Sequence, residues 1–250
     1  MARPKNFLIL NQASNVVKFL PRDVNRPLDY KIVNNKVSQS ADIFLYDMIG
    51  GWGITAENFA KDLKDLGSVK TINLHINSDG GDVFDGRAIF SLLVQHPARI
   101  VSYVDGLAAS IASLIALAGN EVRMADGSFF MIHNAWGVGI GDSKDLRKLA
   151  DLLDSVNNTI IDTYQARSKQ SREDIISWMN DETWMTASEA KDRGFADVVD
   201  EPLKVAACIR DSSSFKRPPA NLMPRRVAAS QLIQEAKSFV SLPVTTPKKV

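Results

Sequence analysis

The chain has 250 residues and a formal net charge of +1, so it is long enough to bury a sizeable core, and its charge gives no case for a nucleic-acid or acidic partner. Three histidines and one cysteine, Cys208, argue against a histidine- or cysteine-based metal site and exclude an internal disulfide. The longest apolar stretch, 107–118, is too short to span a bilayer, and the N-terminus is a poor signal peptide. We therefore expect a cytoplasmic protein without metal, cofactor, nucleic-acid or membrane partners.

Three parts of the chain differ in composition. Residues 1–40 hold short strand-like pieces and a polar, Asn-rich connection, which predicts an N-terminal arm. Residues 41–205 alternate strand-like and helix-like patterns and are predicted to form one domain. Residues 206–250 are polar and interrupted by prolines, which predicts a flexible C-terminal tail with one helix at 228–240.

The predicted domain has a strand–helix–strand rhythm. The predicted strands are 43–46, 71–76, 99–104, 121–124, 128–133 and 195–199, and the predicted helices are 56–66, 85–95, 142–169, 172–180 and 187–193. Such βαβ units favour an α/β fold with a largely parallel sheet. The helix at 142–169 repeats apolar residues at three- and four-residue steps, so it is either a core helix or a subunit contact.

The serine at position 110 begins an apolar helix. The strand 99–104 is expected to end at Asp105-Gly106, and the helix is expected to end at Gly119. Ser110 in the first turn lies where unpaired N–H groups and the positive end of the helix dipole favour developing negative charge, which suits a nucleophile. The commoner role of a serine at a helix start is an N-cap or a small packing residue.

Three further stretches carry residues that suit catalysis. Residues 76–83 end a strand at Gly80-Gly81, whose N–H groups suit an oxyanion hole, although such turns are common. His133 ends an apolar strand, where a histidine is more often part of the core. Asp181 and Glu182 fall in a predicted loop between two helices, where carboxylates usually cap helices or face solvent.

Together, these stretches resemble the ClpP-type serine proteases, peptidase family S14. Residues 106–113 (Gly-Leu-Ala-Ala-Ser-Ile-Ala-Ser) resemble the nucleophile segment, 131–133 the Met-Ile-His segment, 76–81 the Ile-Asn-Ser-Pro-Gly-Gly segment, and 182–190 the segment of the acidic residue. The motifs keep the family's order and extend over residues 41–200. The resemblance implies a ClpP/crotonase-type fold with a protruding handle helix at 142–169, a homo-oligomeric ring and polypeptide substrates.

The resemblance also implies the catalytic residues. Ser110 matches the nucleophile and His133 the general base, while Gly81 and Ile111 match the two oxyanion donors. The family's acid is aspartate, but the ungapped register places Glu182 there, with Asp181 next to it. Both remain candidates, and Glu182 is favoured. No cofactor is implied.

Two segments and the tail distinguish this chain from a housekeeping ClpP. Residues 52–56 (Trp-Gly-Ile-Thr-Ala), residues 182–187 and the C-terminal tail are similar to the head-maturation proteases of tailed phages and prophages, which cleave scaffold or capsid protein inside a procapsid. The main alternatives are a ClpP-like proteolytic subunit that works with an ATPase and a catalytically silent structural homologue. A crotonase-type enzyme would not need Ser110 and His133 together, and a Ser/Lys dyad is disfavoured because only Lys144 lies near the motifs.

Overall fold

One sheet organises the protein. The computed structural model describes residues 29–35, 37–51, 53–201, 216, 217 and 219. The strands of this part are β1 (Tyr30–Asn35), β2 (Ser40–Leu45), β3 (Thr71–Ser78), β4 (Arg99–Ala109), β5 (Glu121–Ala125), β6 (Phe129–Ile132), β7 (Thr183–Thr186) and β8 (Val198–Asp200). Its helices are α1 (Ala56–Asp65), α2 (Val83–Val94), α3 (Ile111–Ala116), α4 (Ser143–Ser168), α5 (Arg172–Asn180) and α6 (Ala187–Asp192).

The sheet is mostly parallel. Its strands follow the order β1-β2-β3-β4-β5-β8, while β6 pairs with the end of β4 and β7 pairs with β6. The pairs β1/β2 and β6/β7 are antiparallel, and the other pairs are parallel. Parallel neighbours need a crossover, and α1 and α2 provide the crossovers between β2, β3 and β4. The predicted α/β fold is confirmed.

Alternation along β2 and β3 places their buried side chains on one face of the sheet. In β3 the buried positions are Ile72, Leu74 and Ile76, each without exposed surface, whereas His75 on the other face is partly exposed. Helix α1 begins at the N-cap Thr55, whose side chain accepts the N–H of Asn58, and it buries an apolar stripe against this face. The core thus lies between the sheet and the helices that follow its strands.

Helix α4 is packed at only one end. It begins after the N-cap Asp142, as predicted, and its buried residues all lie in the second half, from Ile160 to Ser168. The first half leaves Leu146 and Leu152 exposed. The helix therefore projects from the domain. Within the described ranges no helix is long and apolar enough to cross a membrane, and no group of three or more His, Cys, Asp or Glu residues could hold a metal ion.

The main differences from the sequence prediction concern three elements. Strand β4 does not end at Asp105-Gly106 but continues to Ala109, because residues 107–109 pair with β6 after a register shift against β3. Strand β1 falls within the predicted N-terminal arm and pairs with β2, so the sheet begins before residue 41. Strand β7 follows Glu182 where only a loop was predicted. The three-part division remains a prediction, and the tail helix at 228–240 lies outside the described residues.

Candidate active site

Ser110 occupies the sharp turn between β4 and α3. Its backbone has φ 55° and ψ −130°, a conformation that non-glycine residues rarely adopt and that costs about 1–3 kcal/mol. Its N–H donates to the Met131 carbonyl at 3.0 Å, which helps to hold this turn. Ser110 stands at the N-cap position of α3, immediately before the helix, but its side chain makes no capping hydrogen bond. A strained backbone persists only where the surrounding structure holds it in place, and such residues cluster at active sites.

The Gly80-Gly81 turn lies directly against Ser110 and Ile111. A Cβ at Gly80 would lie 2.7 Å from the Ser110 Cβ and 3.1 Å from the Ile111 nitrogen. A Cβ at Gly81, where φ is 146°, would lie 2.0 Å from the Ile49 carbonyl oxygen. Both positions therefore require glycine. Because Ile111 is the first residue of α3, its N–H has no intrahelical acceptor. The turn thus brings Gly81 close to a helix start.

Strand pairing places His133 beside Ser110. β6 runs parallel to β4 with Ala109 opposite Met131, so the residues that follow the two strands come together. The His133 Nε2 lies 2.7 Å from the Ser110 Oγ, a hydrogen-bond distance. The His133 side chain is only 9% exposed. His133 is therefore buried, but it contacts the serine rather than only the apolar core.

The structure distinguishes between the two candidate carboxylates. Glu182 immediately precedes β7, which is antiparallel to β6 with Thr183 opposite Ile132. Its buried Oε2 lies 3.9 Å from the His133 Nδ1, which is an ion-pair distance but too long for a hydrogen bond. The Asp181 side chain is 63% exposed and lies 3.6 Å from Arg217. The fold thus brings Glu182, not Asp181, beside the histidine.

A segment far along the chain also reaches Glu182. The backbone N–H of Lys216 donates to Oε2 at 2.7 Å, and the backbone N–H of Arg217 donates to Oε1 at 2.6 Å. The sequence contains no signal for this contact, since these residues lie in the predicted flexible tail. The two bonds satisfy a carboxylate that is almost excluded from solvent.

A sequence model of the Clp protease family matches residues 28–202. The chain belongs to this family. It is 36% identical over 126 residues to the ATP-dependent Clp protease proteolytic subunit 1 of Chlamydia abortus, which covers 49% of this chain and 66% of that protein. It is 30% identical over 131 residues to the ATP-dependent Clp protease proteolytic subunit of Nephroselmis olivacea, which covers 52% of this chain and 63% of that protein.

A third relative is matched over a longer range. The ATP-dependent Clp protease proteolytic subunit of Bacteroides fragilis is 30% identical over 162 residues, which covers 63% of this chain and 77% of that protein. The chain covers less than two thirds of the length of the first two relatives. The family match extends from before β1 to just beyond β8, and so includes all the described strands.

Burial is the main cause of the shifted pKa of His133. Burial lowers the pKa of His133 from 6.5 to about 4; the nearby Glu182 carboxylate opposes this shift, and the positive charge of Lys216 adds to it. His133 is therefore neutral at pH 7 and able to accept a proton. A neutral imidazole hydrogen-bonded to a serine hydroxyl is the arrangement that general-base activation requires.

The buried hydroxyl groups of Ser113 and Tyr164 form a hydrogen-bonded chain that ends at the Ser110 carbonyl. The Ser113 Oγ donates to the Ser110 carbonyl at 2.5 Å and lies 2.7 Å from the hydroxyl of Tyr164, a fully buried residue of α4. Because Ser113 has a single hydroxyl proton, Tyr164 is the donor in the second bond. The sequence places Tyr164 on the apolar stripe of α4 but does not reveal this hydrogen bond.

Proposed function

We propose that this chain is a serine endopeptidase that cleaves peptide bonds through an acyl-enzyme intermediate. The observation that carries the proposal is the 2.7 Å contact between the His133 Nε2 and the Ser110 Oγ, made by a strained serine and a buried histidine. Membership of the Clp protease family supports the same chemistry. In this proposal Ser110 is the nucleophile, His133 the general base and Glu182 the acidic residue.

The chemistry follows from the positions of these groups. The His133 Nε2 takes the hydroxyl proton as the Ser110 Oγ attacks the scissile carbonyl, and the resulting imidazolium then donates that proton to the leaving amine. The N–H groups of Gly81 and Ile111 are the proposed donors to the tetrahedral oxyanion, and one such donor is typically worth about 3–4 kcal/mol. Water then attacks the acyl-enzyme with His133 again acting as the base.

Glu182 has the role of stabilising the imidazolium. A carboxylate bonded to Nδ1 fixes the tautomer that presents an unprotonated Nε2 to the serine, and its charge favours the protonated ring. Burial strengthens this effect, because the pair interacts through a medium less polarisable than water. The 3.9 Å distance must shorten by about 1 Å for a charge-assisted hydrogen bond to form.

Covalent labelling tests the proposal directly. The protein is treated with a fluorophosphonate, and its intact mass is measured for the wild type, Ser110→Ala and His133→Ala. We expect one adduct on the wild type and none on either variant, because only an activated serine reacts. Ser155→Ala is the matched control, since Ser155 is an exposed serine that donates only to the carbonyl of Asp151, and its labelling should equal that of the wild type.

Peptide cleavage completes this test. The Ser110→Ala variant should have no peptidase activity while retaining the circular-dichroism spectrum of the wild type. Cleavage by a folded Ser110→Ala protein would exclude Ser110 as the nucleophile. A wild type that is folded but neither labelled nor active would favour a catalytically silent structural homologue.

We further propose that the enzyme acts as a phage or prophage head-maturation protease on scaffold or capsid protein. The support is the similarity of residues 52–56 and 182–187 to that group, together with the tail. A second role is favoured by the names of the relatives, each an ATP-dependent Clp protease proteolytic subunit. In that role an ATPase partner would unfold substrates for this chain.

The two roles predict different requirements for ATP. Purified protein is incubated with an assembled capsid–scaffold particle, and separately with a folded fluorescent protein in the presence of a Clp ATPase. Cleavage of scaffold without ATP supports the maturation role. Degradation of the folded protein only with the ATPase and ATP would replace it with the second role.

The exposed half of α4 supports a homo-oligomer. Leu146 and Leu152 are 45% and 49% exposed on a helix that the domain does not cover. Such a projecting apolar surface is typical of a subunit contact. In sedimentation velocity we expect an assembly larger than a monomer, and Leu146→Glu with Leu152→Glu should reduce its size. A monomeric wild type would contradict this part of the proposal.

A further inference from the structure

Two residues of the C-terminal region, Lys216 and Arg217, hold the carboxylate of Glu182; we call this pair the C-terminal clasp. The two backbone N–H groups of the clasp bind the two carboxylate oxygens, one each, at 2.7 and 2.6 Å. The guanidinium of Arg217 also lies 3.6 Å from the Asp181 carboxylate. The clasp therefore contacts both acidic residues that precede β7.

The clasp uses the oxygen that the histidine needs. Of the two carboxylate oxygens, Oε2 is the one that forms the ion pair with the His133 Nδ1, and the Lys216 N–H donates to the same oxygen. Hydrogen bonds to a carboxylate are directional, so the bond from the Lys216 N–H fixes the position of Oε2. It lies 3.9 Å from Nδ1, beyond hydrogen-bond distance.

The charge of the clasp acts in the same direction as its geometry. The positive charge of Lys216 lowers the pKa of His133, whereas the charge of Glu182 raises it. Proton transfer from Ser110 makes the histidine positive, and a nearby lysine disfavours that state. The charge of Lys216 therefore opposes formation of the imidazolium, and the position of Oε2 leaves the ring without the hydrogen bond that would stabilise it further.

We propose that the C-terminal clasp is an autoinhibitory contact that holds Glu182 away from His133 and thereby keeps the triad incomplete. When the clasp leaves, Oε2 becomes available to accept the Nδ1–H of His133. This inference rests on the proposed peptidase function, because it concerns how the same three residues are aligned.

Proline substitution tests the clasp in the full-length chain. Proline has no backbone N–H, so Lys216→Pro with Arg217→Pro removes both bonds to Glu182, whereas Lys216→Pro alone removes the bond to Oε2. The matched control is Lys216→Ala with Arg217→Ala, which keeps both N–H groups and removes the charged side chains. Thermal unfolding of each variant verifies that the domain remains folded.

The readout is the second-order rate constant of fluorophosphonate labelling at Ser110. We expect the double proline variant to react at least ~10-fold faster than the wild type, below a ceiling of about 10⁴-fold, the loss that follows when the acidic residue of a Ser-His-Asp protease is replaced by its amide. Lys216→Pro alone should give an intermediate rate. The double alanine variant loses the Lys216 charge but keeps both backbone bonds, so its rate should rise by no more than about 3-fold. The labelling rate falls in acid as His133 becomes protonated, with an expected midpoint near pH 4 in the wild type. This midpoint should be higher in the double proline variant, because Glu182 moves closer to His133 and Lys216 moves away.

The outcomes separate this inference from the proposed function. Labelling that is slower or unchanged in a folded double proline variant would overturn the autoinhibitory contact and leave the peptidase intact. Equal acceleration in the alanine and proline variants would also overturn it, because the backbone bonds would then not be responsible. Absence of labelling in the wild type and all variants would contradict the peptidase itself. As a further check, Glu182→Gln should reduce labelling more strongly in the double proline background than in the wild type.

Discussion

Replacing Gly86 by alanine is expected to displace Ile111, the residue that follows Ser110 and carries a proposed oxyanion donor. Gly86 lies in α2 and faces Ile111, and a Cβ at this position would lie 2.2 Å from Cγ1, 3.1 Å from Cγ2 and 3.2 Å from Cβ of that side chain. Ordinary carbon–carbon contacts are about 3.5–4.0 Å. Since three atoms of one β-branched side chain face the new methyl group, rotation about χ1 does not relieve the clash. Either α2 or the start of α3 must shift by about 1 Å.

The expected loss of stability is small, whereas the expected loss of activity is large. Overpacking costs about 1–3 kcal/mol, and alanine is favoured over glycine within a helix by about 1 kcal/mol. The free energy of unfolding should therefore fall by about 0–2 kcal/mol, which lowers the Tm by at most about 8 °C. A displacement of about 1 Å at a catalytic group costs about 10²-fold, so kcat/KM should fall about 100-fold.

The assay compares peptide hydrolysis and thermal unfolding for the wild type, Gly86→Ala and Gly51→Ala. Gly51 is the matched control, because a Cβ there would meet no atom within 4 Å. The control should keep the activity and Tm of the wild type. If Gly86→Ala hydrolyses peptide within about 3-fold of the wild type and melts at the same temperature, then Ile111 does not position the oxyanion donor, and the reasoning is refuted.

Two further predictions concern the charged groups of the site. Glu182→Gln should reduce turnover far more than Asp181→Asn in the peptide assay, because Glu182 lies beside His133 while Asp181 is exposed; the reverse order would assign the acidic role to Asp181. Burial lowers the pKa of His133 to about 4, and only the neutral ring accepts a proton. The rate of fluorophosphonate labelling should therefore stay constant from pH 8 to about pH 5 and fall as the pH drops through 4. A midpoint near 6.5 in folded protein would show that the ring is not desolvated.

The helix starts were predictable because a cap is a local structure. The side chains of Thr55, Asp142 and Ser171 each accept a backbone N–H two or three residues further along the chain, so a short stretch of sequence contains both partners. The same holds for the apolar stripe of α4, which repeats within the helix itself. The α/β class followed from the order of such local elements.

Strand boundaries depended on distant partners. Asp105-Gly106 has the composition of a turn, yet β4 continues through it because Leu107 and Ala109 pair with Phe129 and Met131 of β6, 22 residues further along. Strand β7 is short and has an exposed residue at its end, and it forms because β6 provides a partner for its backbone. No window of the sequence contains both members of these pairs.

The residue types of the site were readable in the sequence, but their arrangement was not. Ser110, His133 and Glu182 stood out by motif, whereas their proximity depends on β6 being parallel to β4 and antiparallel to β7. Only the tertiary structure shows that the Glu182 carboxylate is buried beside His133 while the Asp181 side chain is exposed. The contact from Lys216, 34 residues further along, was decided by tertiary structure alone, because backbone N–H groups are present at nearly every position and carry no sequence signal.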